Sequence, residues 1–157
     1  AIVGLANAGK STLLNVLADG SSVETAPTIG LDVKFVKKNN VSIKAWDLGG
    51  QKDFRSEWAR YAADCQVILF VVDAAAPEQV PEARQELHRL LEHRPLADKP
   101  ICVVANKMDL QQVLNEEELI KSLNLDYIMN PWIVIPASAK MNTNIDAVLQ
   151  WLVEQAS

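Results

Sequence analysis

Only two of the 157 residues are cysteines, Cys65 and Cys102, and both border apolar runs. So sparse a set excludes a disulfide-stapled scaffold. Both are expected to be small, reduced core residues of a cytosolic protein rather than a disulfide or a metal pair. Excess basic charge is also missing. A net charge of −5 argues against a general nucleic-acid binder, which needs a basic face. The longest apolar run, Val67 to Val72, falls far short of the ~20 residues that span a bilayer. It reads instead as a strand buried on both faces of a parallel sheet. No signal peptide, linker, repeat or low-complexity stretch is visible. The two histidines, His88 and His93, fall on a surface helix and are expected to be solvated. What remains is an ordinary globular composition, 49% hydrophobic, long enough for one domain with a real core.

The chain nevertheless opens on a phosphate-binding pattern. Gly4-Leu5-Ala6-Asn7-Ala8-Gly9-Lys10-Ser11 fits G-x-x-x-x-G-K-[ST]. In such a loop, backbone N–H groups cradle the α- and β-phosphates, Lys10 reaches the β/γ-phosphates and Ser11 ligates Mg²⁺. Terminal glycines let the backbone approach the anion. A helix carrying Thr12, Leu13, Leu14, Val16 and Leu17 follows, and its N-terminus adds partial positive charge. The bland alternative is a glycine turn before a helix with a solvent-facing lysine.

Beyond that loop, strand and helix patterns alternate, which implies an α/β layer fold. Leu31 to Val36 and Val41 to Trp46 read as a hairpin around Lys37-Lys38-Asn39-Asn40. Phe54 to Ala62 reads as a short helix and Val67 to Val72 as a strand. Glu78 to His93 is helical, with Leu87, Leu90 and Leu91 on one stripe. Ile101 to Ala105 is a strand. Glu116 to Leu123 is a helix capped by Asn115, with Glu118 at capping-box spacing. Trp132 to Ile135 is a strand. The last helix is expected to bury Ile145, Val148, Leu149 and Leu152. Ala1-Ile2-Val3 is short against the usual ~5–6 residues of a strand, so upstream residues are expected to be missing.

Three further segments carry chemistry. Asn106-Lys107-Met108-Asp109 follows the strand ending at Ala105, and carboxylates at the ends of parallel strands face a ligand crevice. Asp109 accepts two hydrogen bonds from guanine's N1–H and exocyclic amine, a donor pair adenine lacks, and such polar matching discriminates strongly. The stem of Lys107 covers the base. Asp47 ends the hairpin's second strand in Trp46-Asp47-Leu48-Gly49-Gly50-Gln51, where an acid can hold Mg²⁺ through water. Gly50 offers an N–H to a γ-phosphate and Gln51 sits where it can orient a water. Thr28, in Pro27-Thr28-Ile29-Gly30, is a second Mg²⁺ ligand on a mobile segment, or, taken alone, a turn residue.

Taken in this order, Gly4–Ser11, Thr28, Asp47–Gln51, Asn106–Asp109 and Ser138-Ala139-Lys140 resemble a small GTPase of the Ras superfamily. The resemblance spans nearly the whole chain. It implies a P-loop NTPase: α/β, with a six-stranded, mostly parallel sheet, one antiparallel strand and helices on both faces. One G domain over residues 1–157, truncated at its N-terminus, is expected. Nucleotide contacts are implied at Gly4, Asn7, Ala8, Gly9, Lys10, Ser11, Thr12, Thr28, Gly50, Asn106, Lys107, Asp109, Ser138, Ala139 and Lys140, with the Ala139 N–H on guanine O6. Mg²⁺ falls to Ser11, Thr28 and Asp47, and catalysis to Gln51, Lys10, Thr28 and Gly50.

Pro27-Thr28-Ile29-Gly30 and Trp46-Asp47-x-Gly49-Gly50-Gln51 resemble the Arf and Arf-like branch. The stretch from Ser11 to Thr28 leaves no room for the helical insert of a Gα subunit, and Glu154-Gln155-Ala156-Ser157 offers no cysteine for prenylation. Phe54 to Tyr61 and Asn144 to Leu152 are similar to the lysosome-associated Arf-like subgroup. Leu31 departs from the phenylalanine usual in Arf proteins, and the amphipathic N-terminal helix of that branch is expected to lie upstream of Ala1. The implied protein is a monomeric, cytoplasmic switch, peripherally bound to membranes through an N-terminal segment, at lysosomes or endosomes. An exchange factor, a GTPase-activating protein and effectors are the expected partners. Effectors would meet Phe54, Trp58, Tyr61 and the hairpin surface, unless those aromatics pack inward.

No arginine precedes Thr28; the first is Arg55. Hydrolysis is therefore expected to be slow alone, on the order of 10⁻⁴ s⁻¹ or lower, and faster by up to roughly 10⁵-fold with an activating partner. The alternative is a nucleotide-gated binding module that retains GTP, against which Gln51 weighs. A small P-loop kinase is third, disfavoured by Asn106-Lys107-x-Asp109.

Overall fold

The computed structural model describes residues 1–5, 8–18, 24–28, 31–38, 41–47, 63, 65–107 and 113–156; within these, side chains are described except at 24–28, 31, 32, 38, 41, 46, 47 and 156. Their elements run β1 (Ile2–Gly4), α1 (Lys10–Ala18), β2 (Glu24–Thr28), β3 (Leu31–Lys38), β4 (Val41–Asp47), β5 (Ile68–Asp73), α2 (Val80–Leu91), β6 (Ile101–Asn106), α3 (Glu116–Ser122), β7 (Trp132–Pro136) and α4 (Ile145–Ala156). They form one sheet in the order β2-β3-β4-β1-β5-β6-β7. Strands β4, β1, β5, β6 and β7 are mutually parallel, and β3 runs antiparallel to β4. This is the expected layer fold with its hairpin. A seventh strand, β2, adds an edge by pairing antiparallel with β3.

The central parallel strands β5 and β6 are apolar up to their last residues because both of their faces are covered. In β5 and β6 only Asp73 escapes full burial. Side chains alternate across the pleat. Ile68, Phe70, Val72, Ile101, Val103 and Ala105 fall in one core cluster with residues of α2 and α3. Leu69, Val71, Cys102 and Val104 fall in the other, with residues of α1 and α4. Cys102 is fully buried, and burial pushes its thiol up to about 12. Cys65 is half-buried, and neither cysteine is in a disulfide.

Helix α2 is shorter than expected. Pro77–Gln79 forms a 3-10 turn ahead of it, and Pro81 sits in its first turn, where a missing N–H costs nothing. The capping box of α3 forms as read: the Glu118 N–H donates to Asn115 Oδ1 at 2.8 Å and the Asn115 N–H to Glu118 Oε1 at 3.2 Å. The expectations for the histidines and for Leu149 fail: His93 lies past the end of α2 and is half-buried. His88 is half-buried, not solvated, and its Nε2–H donates to the Leu123 carbonyl at 2.8 Å, tying α2 to the end of α3. Leu149 is 41% exposed, and Trp151 takes its place beside Ile145 and Val148. Leu149 lies 100° round the helix from Val148, past the edge of the buried stripe; Leu152 is half-buried.

Candidate nucleotide-binding site

Gly4 ends β1 between β4 and β5, paired with Asp47 on one side and Val71 on the other. A Cβ on Gly4 would lie 2.4 Å from the Val71 carbonyl oxygen. That oxygen belongs to the sheet backbone and cannot swing aside, so the loop must leave the sheet from a glycine. The Ala8 N–H then donates back to the Leu5 carbonyl at 3.3 Å. Gly9 follows at φ 101°, where a Cβ would meet Asn106 Nδ2 at 2.1 Å. Left-handed backbone and close approach both call for glycine. Helix α1 opens on the next residue, with the Leu13 N–H bonded to the Gly9 carbonyl at 2.9 Å.

Lys10 is only 5% exposed, and its ammonium donates to the Leu5 carbonyl. It lies folded over the loop, unlike the solvent-facing lysine of a simple glycine turn. Ser11 and Thr12 are exposed in the first turn of α1, among N–H groups that a helix leaves unpaired. Ser11 Oγ accepts a hydrogen bond from the Lys34 ammonium of β3 at 2.7 Å.

Asn106 joins the two ends of the site. Its side chain is 3% exposed; Nδ2 donates to the Ala8 carbonyl at 2.9 Å, and Oδ1 accepts from the Ala139 N–H at 3.0 Å. One amide therefore pins the phosphate loop to the loop after β7. That second loop is closed by a Ser138–Thr143 bridge, with the Met141 N–H on Ser138 Oγ at 3.1 Å and Asn144 Nδ2 on the Pro136 carbonyl at 2.7 Å. Ser138 and Ala139 are buried, and Lys140 is exposed. The Ala139 N–H was expected to face a guanine O6; in this structure Asn106 holds it. The amide of Asn106 projects from the end of β6 into the gap between the loops and reaches both.

Lys107 stands at φ 65° just past β6 and its ammonium pairs with Asp73 Oδ2 at 2.8 Å. Asp73 was not singled out in the sequence. Its register opposite Asn106 at the end of β5, in the row that faces the crevice of a parallel sheet, was the available signal. Asp47 has its backbone beside Gly4. The backbone of Thr28, in β2, pairs with Leu31 of β3, and the β2 residue opposite Lys34 is Thr25; the Thr28 side chain lies outside the described residues. Asn7, Gly50, Gln51 and Asp109 lie outside the described residues, as do Phe54, Trp58, Tyr61 and the helix expected over Phe54 to Ala62.

The arrangement is a glycine-flanked anion loop with a buried lysine, tied by a buried amide to a second loop across the strand ends. Comparison with known proteins agrees. The model of the ADP-ribosylation factor family matches residues 1–156. ADP-ribosylation factor-like protein 8c of Arabidopsis thaliana is 40% identical over 157 residues, covering 99% of this chain and 85% of that protein. Matched along almost its full length, the chain belongs to the ADP-ribosylation factor family of small GTPases, which bind GTP and GDP and hydrolyse the former.

Proposed function

We propose that this chain is a magnesium-dependent guanine-nucleotide switch whose GTP form recruits effectors in membrane traffic. The observation that carries this reading is the bridge through Asn106, which ties the loop at Ala8 to the loop at Ala139. Lys10 is seated to turn from the Leu5 carbonyl to β/γ-phosphate oxygens. Asp109 would accept the guanine N1–H and amine, and the stem of Lys107, steered by Asp73, would cover the ring.

The donor set suits magnesium, a hard cation that takes few protein oxygens. Ser11 Oγ already meets a positive charge, the Lys34 ammonium at 2.7 Å. Ser11 and Thr28 would hold the ion, with Asp47 reaching it through water. Bound there, it would neutralise charge on the β- and γ-phosphate oxygens. The γ-phosphate and the ion would together draw in Thr28 on the edge strand, and so turn the presence of a γ-phosphate into a change of shape. Gly50 would donate its N–H to the same phosphate while Gln51 orients the attacking water. A shift from mostly off to mostly on takes about 5.5 kcal/mol of differential binding.

An exchange factor, an activating protein and effectors at the hairpin and at Phe54, Trp58 and Tyr61 complete the cycle. The protein acts as a monomer, peripherally on lysosomal or endosomal membranes, as the resemblance of its segments to that Arf-like subgroup suggests. No described helix is long and apolar enough to cross a membrane. The test is nucleotide competition: Asp109→Asn should move preference from guanine to xanthine nucleotides. Undiminished GTP affinity in that variant would overturn the base assignment, and failure of the native protein to take up GDP or GTP would overturn the whole reading.

A further inference from the structure

We propose that Lys34 is a tethered competitor for the magnesium position, raising the free magnesium this protein needs to retain its nucleotide. The inference rests on the reading above and concerns a residue given no role there. Lys34 lies in β3 opposite Ala45 and Thr25. Successive side chains alternate across the sheet, so Lys34 shares a face with Val36, whose core cluster contains residues of α1. From there its ammonium donates to Ser11 Oγ at 2.7 Å.

A serine hydroxyl has two lone pairs, and a lysine ammonium can only donate. Lys34 thus takes one of the two lone pairs, and a metal on the other would sit beside its charge. Magnesium binds oxygen at about 2.1 Å in strict octahedral geometry. An ion on Ser11 Oγ would lie no further than about 4.8 Å from the Lys34 nitrogen, given the 2.7 Å contact and that bond length. Two cations so close repel even in partly exposed surroundings. Seating the metal therefore displaces the lysine from the hydroxyl, and loss of the metal lets it return. The same bond fastens β3 to the first turn of α1, so metal and strand contend for one oxygen.

The experiment measures release of a fluorescent GDP analogue across a buffered series of free magnesium concentrations. Lys34→Gln should lower the concentration that half-suppresses release by about threefold or more, the scale of one partly exposed charge contact. Lys34→Arg keeps the donor and should stay near the native value. Lys37→Gln removes a charge from the opposite face of the same strand and should leave the midpoint in place. An unmoved midpoint in Lys34→Gln overturns the proposal. So does a shift toward higher magnesium, which would make Lys34 a phosphate ligand, or an equal shift in Lys37→Gln, which would make the effect one of net charge. If native protein takes up no guanine nucleotide, the functional reading fails and this inference with it; uptake with an unmoved midpoint fails this inference alone.

Discussion

The two sides of the sheet hold their share of the site in opposite ways. On the parallel side, β5 and β6 are buried on both faces, and Asn106 at the end of β6 makes two hydrogen bonds that water cannot replace. On the antiparallel side, β3 buries Val33 and Val36 but leaves Lys34 and Phe35 half-covered and Lys37 exposed. Among the described residues, its hydrogen bond to the start of α1 is an exposed one, Lys34 to Ser11. Buried polar bonds are costly to break, because both partners lose water and pairing together. Exposed ones exchange with solvent cheaply. The base side is therefore built to stay, and the hairpin side to move.

The comparison can be broken most severely at Gly4. Gly4→Ala drives a Cβ against sheet backbone on the parallel side and should destabilise by about 3 kcal/mol or more, read as a fall in the urea midpoint. Asn106→Ala comes next. It strands the Ala8 carbonyl and the Ala139 N–H, on residues each 2% exposed, and should cost about 2–3 kcal/mol together with nucleotide affinity, measured by denaturation and by GDP release.

A smaller effect appears at high pH. The Cys102 thiol is held up to about 12 from 9.0 by burial, so the folded state keeps a proton that the unfolded chain gives up. Its contribution is intact below about pH 9 and disappears as the pH climbs toward the folded value, reaching about 1.4 kcal/mol lost by about pH 10. Cys102→Ala should be less stable at neutral pH yet lack this alkaline component, which a urea midpoint series across pH would show. The smallest effect belongs to the hairpin: Lys37→Gln should leave stability within about 0.5 kcal/mol. A hairpin substitution as costly as Asn106→Ala would erase the contrast.

What the sequence made legible was whatever local pattern records. Double-faced apolar runs marked β5 and β6, the capping box marked α3, and the glycine spacing marked the phosphate loop. Long-range partners were not legible. Glu24–Thr28 shows no apolar alternation and contains Pro27; it is a strand because β3 offers it an edge, where proline is tolerated. His88 looked like a surface residue until Leu123, 35 positions away, supplied its acceptor. Asp73 gained its role from Lys107, and the Ala139 N–H found a partner in Asn106, 33 positions away. Leu149 missed burial by one step of helical rotation, finer than a list of apolar positions resolves.

The carboxamide at position 106 also sets how the pocket can be opened. A partner that lifts the Ser138–Thr143 turn withdraws the donor from Oδ1 and frees the amide to tilt, and the Ala8 carbonyl then loses its hold on the other side. Leverage applied at the Ser138–Thr143 turn would thus reach the backbone at Ala8 through one side chain.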